Sequence, residues 1–159
     1  MSIEVSILLG LLDEAFERKA WHGPNLRGSI RGLGAKEAAW RPAPGRHNVW
    51  ELAVHAAYWK YAVRRRLTGD KRGSFPLEGS NWFERPGPEG ATDAAWRADL
   101  GVLVSEHRRL RGVVAGLTTK DLVRKPPRGL TGLVLVRSVA AHDVYHAGQI
   151  QLLKRLRPR

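Results

Sequence analysis

A chain of 159 residues with 43% hydrophobic side chains has the length and apolar content of one folded domain, residues 1–159. It holds no cysteine, which excludes disulfides, thiolate metal sites and cysteine nucleophiles, so any transition-metal site must be built from His, Asp or Glu. The net charge of +12 raises nucleic-acid binding, yet the basic residues fall in separate clusters at Arg64-Arg65-Arg66, Arg108-Arg109-Arg111 and Lys154-Arg155-Arg157-Arg159 rather than one stripe.

Nearly every periodic segment reads as helix. Residues 2–20 carry Ile3, Ile7, Leu8, Leu11, Leu12, Ala15 and Phe16 at helical spacing, and Gly23-Pro24 breaks that helix. Glu4 and Asp13 interrupt the apolar start, no basic segment precedes it, and no run is long enough to span a bilayer, so a soluble cytoplasmic protein is expected. Pro24 can open a short second helix to about residue 32.

Asn48 with Glu51 three residues later reads as a capping box, opening a helix of about five turns that ends near Thr68-Gly69. Residues 70–90, rich in Gly and Pro, read as a long loop with Phe75, Trp82 and Phe83 embedded. Thr92 opens a third long helix closed by Gly116. A last one begins between Thr131 and Arg137, runs to about Leu156 and stops before Pro158.

An internal repeat supports this layout. Gly32-Leu33-Gly34-Ala35-Lys36-Glu37 and Gly116-Leu117-Thr118-Thr119-Lys120-Asp121 share Gly-Leu and Lys-acid, each followed by a base and a proline, Arg41-Pro42 and Lys125-Pro126. Each copy follows a long helix and precedes a histidine-bearing one. The expectation is an all-α four-helix bundle of two αα-hairpins, with long crossover connections rather than tight turns.

Histidines carry the chemistry. His142 and His146 are four apart and therefore share one helix face. His55 lies in an apolar stretch of the second long helix, Trp50-Glu51-Leu52-Ala53-Val54-His55. Were the two faces opposed, three imidazoles would converge on one metal and leave a coordination position open, the composition of a catalytic rather than a structural site. Isolated core histidines are the plainer reading, but burying three unpartnered imidazoles carries a desolvation cost that a metal relieves.

Asp143 stands where a zincin has its general-base Glu. It is one methylene shorter, no third histidine follows, and it either orients an imidazole or faces solvent. His22, His47 and His107 read as structural or solvated. His107, among Glu106, Arg108 and Arg109, is expected on the surface, while His22 beside the helix break is the one able to reach a pocket. Most of the tryptophans read as core, with Trp59 on the face of His55 and able to wall a pocket; Tyr58 and Tyr145 flank the histidine-bearing faces.

The run His142-Asp143-Val144-Tyr145-His146-Ala147-Gly148-Gln149, the helix ending in His55 and the turn Ala39-Trp40-Arg41-Pro42 together resemble the DinB/YfiT-like superfamily of metal-dependent enzymes. That resemblance implies a bundle with crossovers, often a homodimer. It also implies a divalent ion, Zn or Ni foremost and Fe or Mn also compatible, held by His55, His142 and His146. It brings thiol S-transferases that use a low-molecular-weight thiol, and isomerases, into view. The residues fit equally a metal-dependent transferase or a hydrolase acting on a small-molecule substrate. The alternative is a non-catalytic metal-binding or basic nucleic-acid-interaction protein.

Overall fold

The computed structural model describes residues 1–158, and all regular structure among them is helical. Four long helices form the bundle: α1 (Ile3–Phe16), α4 (Val49–Thr68), α5 (Asp93–Ala115) and α7 (Gly132–Leu156). Short helices α2 (Leu26–Ile30), α3 (Ala35–Ala39) and α6 (Thr119–Val123) lie in the connections. A single 3-10 turn, Pro88–Gly90, precedes α5.

Capping sets the boundaries. Asn48 Oδ1 accepts the Glu51 amide at 2.8 Å, and its side-chain amide donates to the Ala39 carbonyl, tying the start of α4 to the end of α3. Gly69, at φ +80, ends α4 in the left-handed region. Thr92 and Thr131 cap α5 and α7 through their hydroxyls. The first helix is shorter than its periodicity predicts: it closes at Phe16, where the Glu17 and Arg18 amides both donate to the Asp13 carbonyl. Asn25 rather than Pro24 starts the next helix, accepting the Gly28 amide at 2.7 Å.

The internal repeat has a structural counterpart. In both copies the acid after the lysine lies three residues into a short helix and turns back to its start. Glu37 accepts the Gly34 amide at 2.8 Å and Asp121 the Thr118 amide at 2.9 Å. The repeated Lys-acid pair therefore marks α3 and α6, helices that the proline-bounded turns did not announce.

Around the bundle the long helices follow the order α1, α5, α4, α7. Successive pairs α1 and α4, and α5 and α7, sit across the diagonals, joined by the crossovers that hold α2–α3 and α6. Each repeat unit is thus an αα pair spanning the bundle. A Cβ on Gly132 would meet Leu67 at 3.3 Å, so the end of α4 lies against the start of α7 and the two helices run antiparallel. Two apolar clusters fill the interior, one around Trp50, Leu52, Val54 and Trp96, the other around Leu12, Leu110, Val136 and Val139. Among the described residues no helix is long and apolar enough to cross a membrane.

Candidate metal centre

His55 lies on α4 among buried small residues, Ala53, Ala56 and Ala57, on the turn that follows Trp50. His142 and His146 occupy successive turns of α7 on the side facing α4. The structure brings together all three histidines singled out by spacing: one nitrogen from each lies within 4.8 Å of the others. His142 Nε2 is 3.1 Å from His55 Nε2 and 2.9 Å from His146 Nε2.

The partners of the other ring nitrogens fix the tautomers. His55 Nδ1 donates to the Asn81 carbonyl at 2.7 Å, and His146 Nδ1 donates to Gln149 Oε1 at 2.6 Å. Gln149 is oriented in turn by its amide group, which donates to the Tyr145 hydroxyl at 3.2 Å. Both Nε2 atoms therefore present lone pairs. His142 Nε2 lies against both and can supply a proton to at most one of them, and its Nδ1 is buried with no partner. Three convergent imidazole acceptors short of donors repel one another unless a cation lies among them. Burial, reinforced by the neighbouring imidazoles, holds His55 to about 4 and His142 to about 3, and lowers His146 as well. At neutral pH all three are in the form that ligates metal.

The loop that reads as irregular in sequence completes the site. Asn81 adopts φ +65, the left-handed region open to Asn, so that its carbonyl meets His55 while its side-chain oxygen accepts the Trp59 indole N–H at 3.0 Å. Trp82 stacks on His55 with ring centroids 3.8 Å apart and on His47 at 3.6 Å. Periodicity gave no hint of Asn81 or Trp82, because a loop residue's neighbours are set by tertiary closure; Asn and Trp in a Gly/Pro-rich loop were the available signal.

The three imidazoles face a cavity of about 500 Å³ whose walls are mostly apolar, among them Trp59, Val63, Leu135 and Val139, with Tyr145 and Arg66 at its edge. A larger cleft, about 930 Å³, lies elsewhere between Phe16, Leu33, Val104 and Arg108 and offers no group of metal-ligating side chains.

The remaining histidines divide. His22 is exposed and does not reach the site. His47 Nδ1 lies 3.1 Å from Glu51, whose carboxylate also takes a bidentate pair from Arg41. His107, expected at the surface, is 1% exposed and stacks on Phe16 at 3.8 Å. Arg108 and Arg109 point outward and Glu106 is buried in pairs with Arg64 and Arg109, while His107 itself continues the core stripe Leu103, Leu110, Val114. Asp143 does not face solvent and hydrogen-bonds no imidazole: it is fully buried and paired with Lys60, itself fully buried. Burial pushes the Asp143 carboxyl up, and the Lys60 ammonium opposes that shift. Both sit at core-stripe positions of their helices, Asp143 between Val136, Ala140 and Ala147, Ile150. Two opposite charges in facing apolar stripes were the sequence signal for the pair.

The site is thus an all-helical bundle with a group of three histidines that could hold a metal ion, open to an apolar cavity. The chain belongs to the DinB superfamily, whose family model matches residues 20–150. It is also similar to a conserved protein of Enterococcus faecalis of known crystal structure, at 18% identity and a TM-score of 0.69, over 98% of this chain and 97% of that one. That likeness shows the shared fold. No curated protein matches.

Proposed function

We propose that the protein is a metal-dependent enzyme in which His55, His142 and His146 hold one divalent ion, zinc or nickel, and act on a small molecule by thiol S-transfer or hydrolysis. The observation that carries this reading is the convergence of three Nε2 atoms, short of donors, at the wall of an apolar cavity. Three protein ligands leave a position for a reactant, as in catalytic rather than structural sites. With a divalent ion bound, the three imidazoles would hold a Lewis acid able to activate water or the thiol of a low-molecular-weight cosubstrate at neutral pH.

The chain's own residues do the rest. The Asn81 carbonyl and the Gln149 amide keep the two outer imidazoles in the ligating tautomer. Trp82 covers one face of His55, and Trp59 walls the cavity on the α4 side, limiting water at the open position. The Tyr145 hydroxyl, on a side chain 64% exposed at the cavity edge, is placed to hydrogen-bond a bound reactant.

A homodimer belongs to the same proposal. Ile3, Ile7 and Leu11 form an exposed apolar stripe on α1, a surface suited to a second copy. Against the alternative of a basic interaction protein, many of the cations have structural uses: Arg41 with Glu51, Arg64 with Glu106, Arg111 with Asp13 and Arg157 with Glu37.

The test is turnover by zinc- and nickel-loaded protein. Loss of free thiol in the presence of an electrophile identifies a transferase, and thiol-independent hydrolysis of activated esters identifies a hydrolase. Either activity must vanish in His142→Ala. Activity that survives in that variant would contradict the proposal.

A further inference from the structure

The cavity beside the histidines does not end at them. Its α4 wall is formed by His55, Trp59, Val63 and Arg66, spaced four, four and three residues apart and so on one face. The antiparallel α7 supplies the opposite wall, with His142 and His146 against His55 and Leu135 toward the Arg66 end. Arg66, Leu130 and Leu135 also line a second cavity, of about 340 Å³, whose other walls include Arg124 and Lys125. Sharing these wall residues, the two cavities adjoin along the α4–α7 seam and together make a trough. At 1.5 Å of rise per residue, the eleven residues from His55 to Arg66 place about 16 Å of helix between its ends.

The ends differ in chemistry. Of the three consecutive arginines, Arg64 pairs with Glu106 and Asp70, and Arg65 donates to the Asp70 carbonyl. Arg66 has no acidic partner among the described residues. Its guanidinium lies 5.6 Å from the centre of the Trp59 ring, a cation–π contact that orients the group without neutralising it. Arg124 has Asp121 Oδ1 at 3.8 Å, while the Thr118 amide and hydroxyl take the other oxygen of that carboxylate. Between the two ends the surface is mostly apolar, Val63, Leu135 and Val139, with Ser138 beside them.

We infer that the trough binds an elongated amphipathic anion. Its reacting end lies at the histidines, its apolar segment along Val63 and Leu135, and its carboxylate or phosphate on the fork of Arg66, with Arg124 and Lys125 adding positive field. Arg66 is then the residue that selects the substrate. The orientation rests on the histidines being the reacting end, whereas the anion contact itself does not require a metal.

The experiment uses metal-stripped, full-length protein and follows tryptophan fluorescence, since Trp59 and Trp82 line the trough. The probes are n-octyl phosphate, n-octanoate, n-octanol and inorganic phosphate. One or both octyl anions should bind at least about tenfold tighter than octanol, the scale of one charge-assisted hydrogen bond, and tighter than inorganic phosphate. The preferred head group distinguishes a phosphate from a carboxylate ligand.

Arg66→Met should remove that preference and leave octanol binding unchanged, and Arg66→Lys should restore part of it. Because Arg66 is exposed, both variants should keep the wild-type thermal midpoint. Equal binding of octanol and both octyl anions, an Arg66→Met protein that still prefers anions, or no saturable binding would each overturn the inference. An anion preference in a protein that takes up no metal would leave the Arg66 site standing and remove the enzyme reading. Metal uptake without anion preference would do the reverse.

Discussion

The Asn81 carbonyl oxygen lies 2.7 Å from His55 Nδ1, and the residue that carries it sits at φ +65. A loop peptide in the left-handed region thereby sets the tautomer of an imidazole on a helix 26 positions upstream. Partners of this kind set ligand orientation, and their loss typically costs roughly ten- to a hundredfold in metal affinity.

Asn81→Val tests that link. A β-branched residue is strained at positive φ, so the carbonyl should leave His55 and zinc affinity should fall at least about tenfold by competition with a chromophoric chelator. Asn81→Gly keeps the backbone geometry and loses only the hydrogen bond from Trp59; its affinity should stay within about threefold of wild type. Equal affinities in all three proteins would separate the loop from the site.

The buried pair Lys60–Asp143 makes a second prediction. Lys60→Met strands a buried carboxylate beside the histidine-bearing helix face and should cost about 3–5 kcal/mol in urea unfolding. Lys60→Met/Asp143→Leu removes both charges and should recover most of that loss. A single variant no less stable than wild type would show the pair to be solvated.

His107 predicts a pH dependence. Desolvation first, then the Lys60 charge, holds it to about 3 in the folded chain, against 6.5 when unfolded. Between those values the unfolded chain binds the extra proton, so stability is complete above pH 6.5 and falls as pH drops toward 3. One residue contributes at most about 1.4 kcal/mol per pH unit. In metal-stripped protein, His107→Phe should therefore gain on wild type as pH falls from 6.5 to 4.5, with a constant difference between them above pH 7. A difference that does not change with pH would contradict the buried, neutral state.

The apolar stripe on α1 predicts self-association. Ile7→Glu/Leu11→Glu should sediment as a monomer at concentrations where wild type is a dimer, with unchanged helicity. A wild-type monomer would remove the dimer from the proposal.

The parts of the fold visible in the sequence were those fixed locally. The Asn48–Glu51 box, the Gly69 stop and the Thr92 and Thr131 caps satisfy helix-end amides or carbonyls from nearby residues, so they could be read before any packing was known. His142 and His146 were legible for the same reason, since helical geometry alone puts them on one face. That His55 joins them depends on the antiparallel docking of α4 on α7, which spacing suggested but did not dictate. Asn81, Trp82, Lys60 and the burial of His107 all depend on long-range closure. For His107 the flanking charges misled, because neighbours on a helix point in different directions and the stripe at three- and four-residue spacing decides burial.

Metal content bears most directly on the central claim. The untagged protein, purified without chelator, and His142→Ala/His146→Ala should be compared by elemental mass spectrometry, with circular dichroism confirming that both are helical. The three-histidine centre predicts about one divalent ion per chain in wild type and almost none in the variant. No bound metal in either protein, even after dialysis against zinc or nickel, would contradict it and leave three ordinary core histidines in a helical bundle.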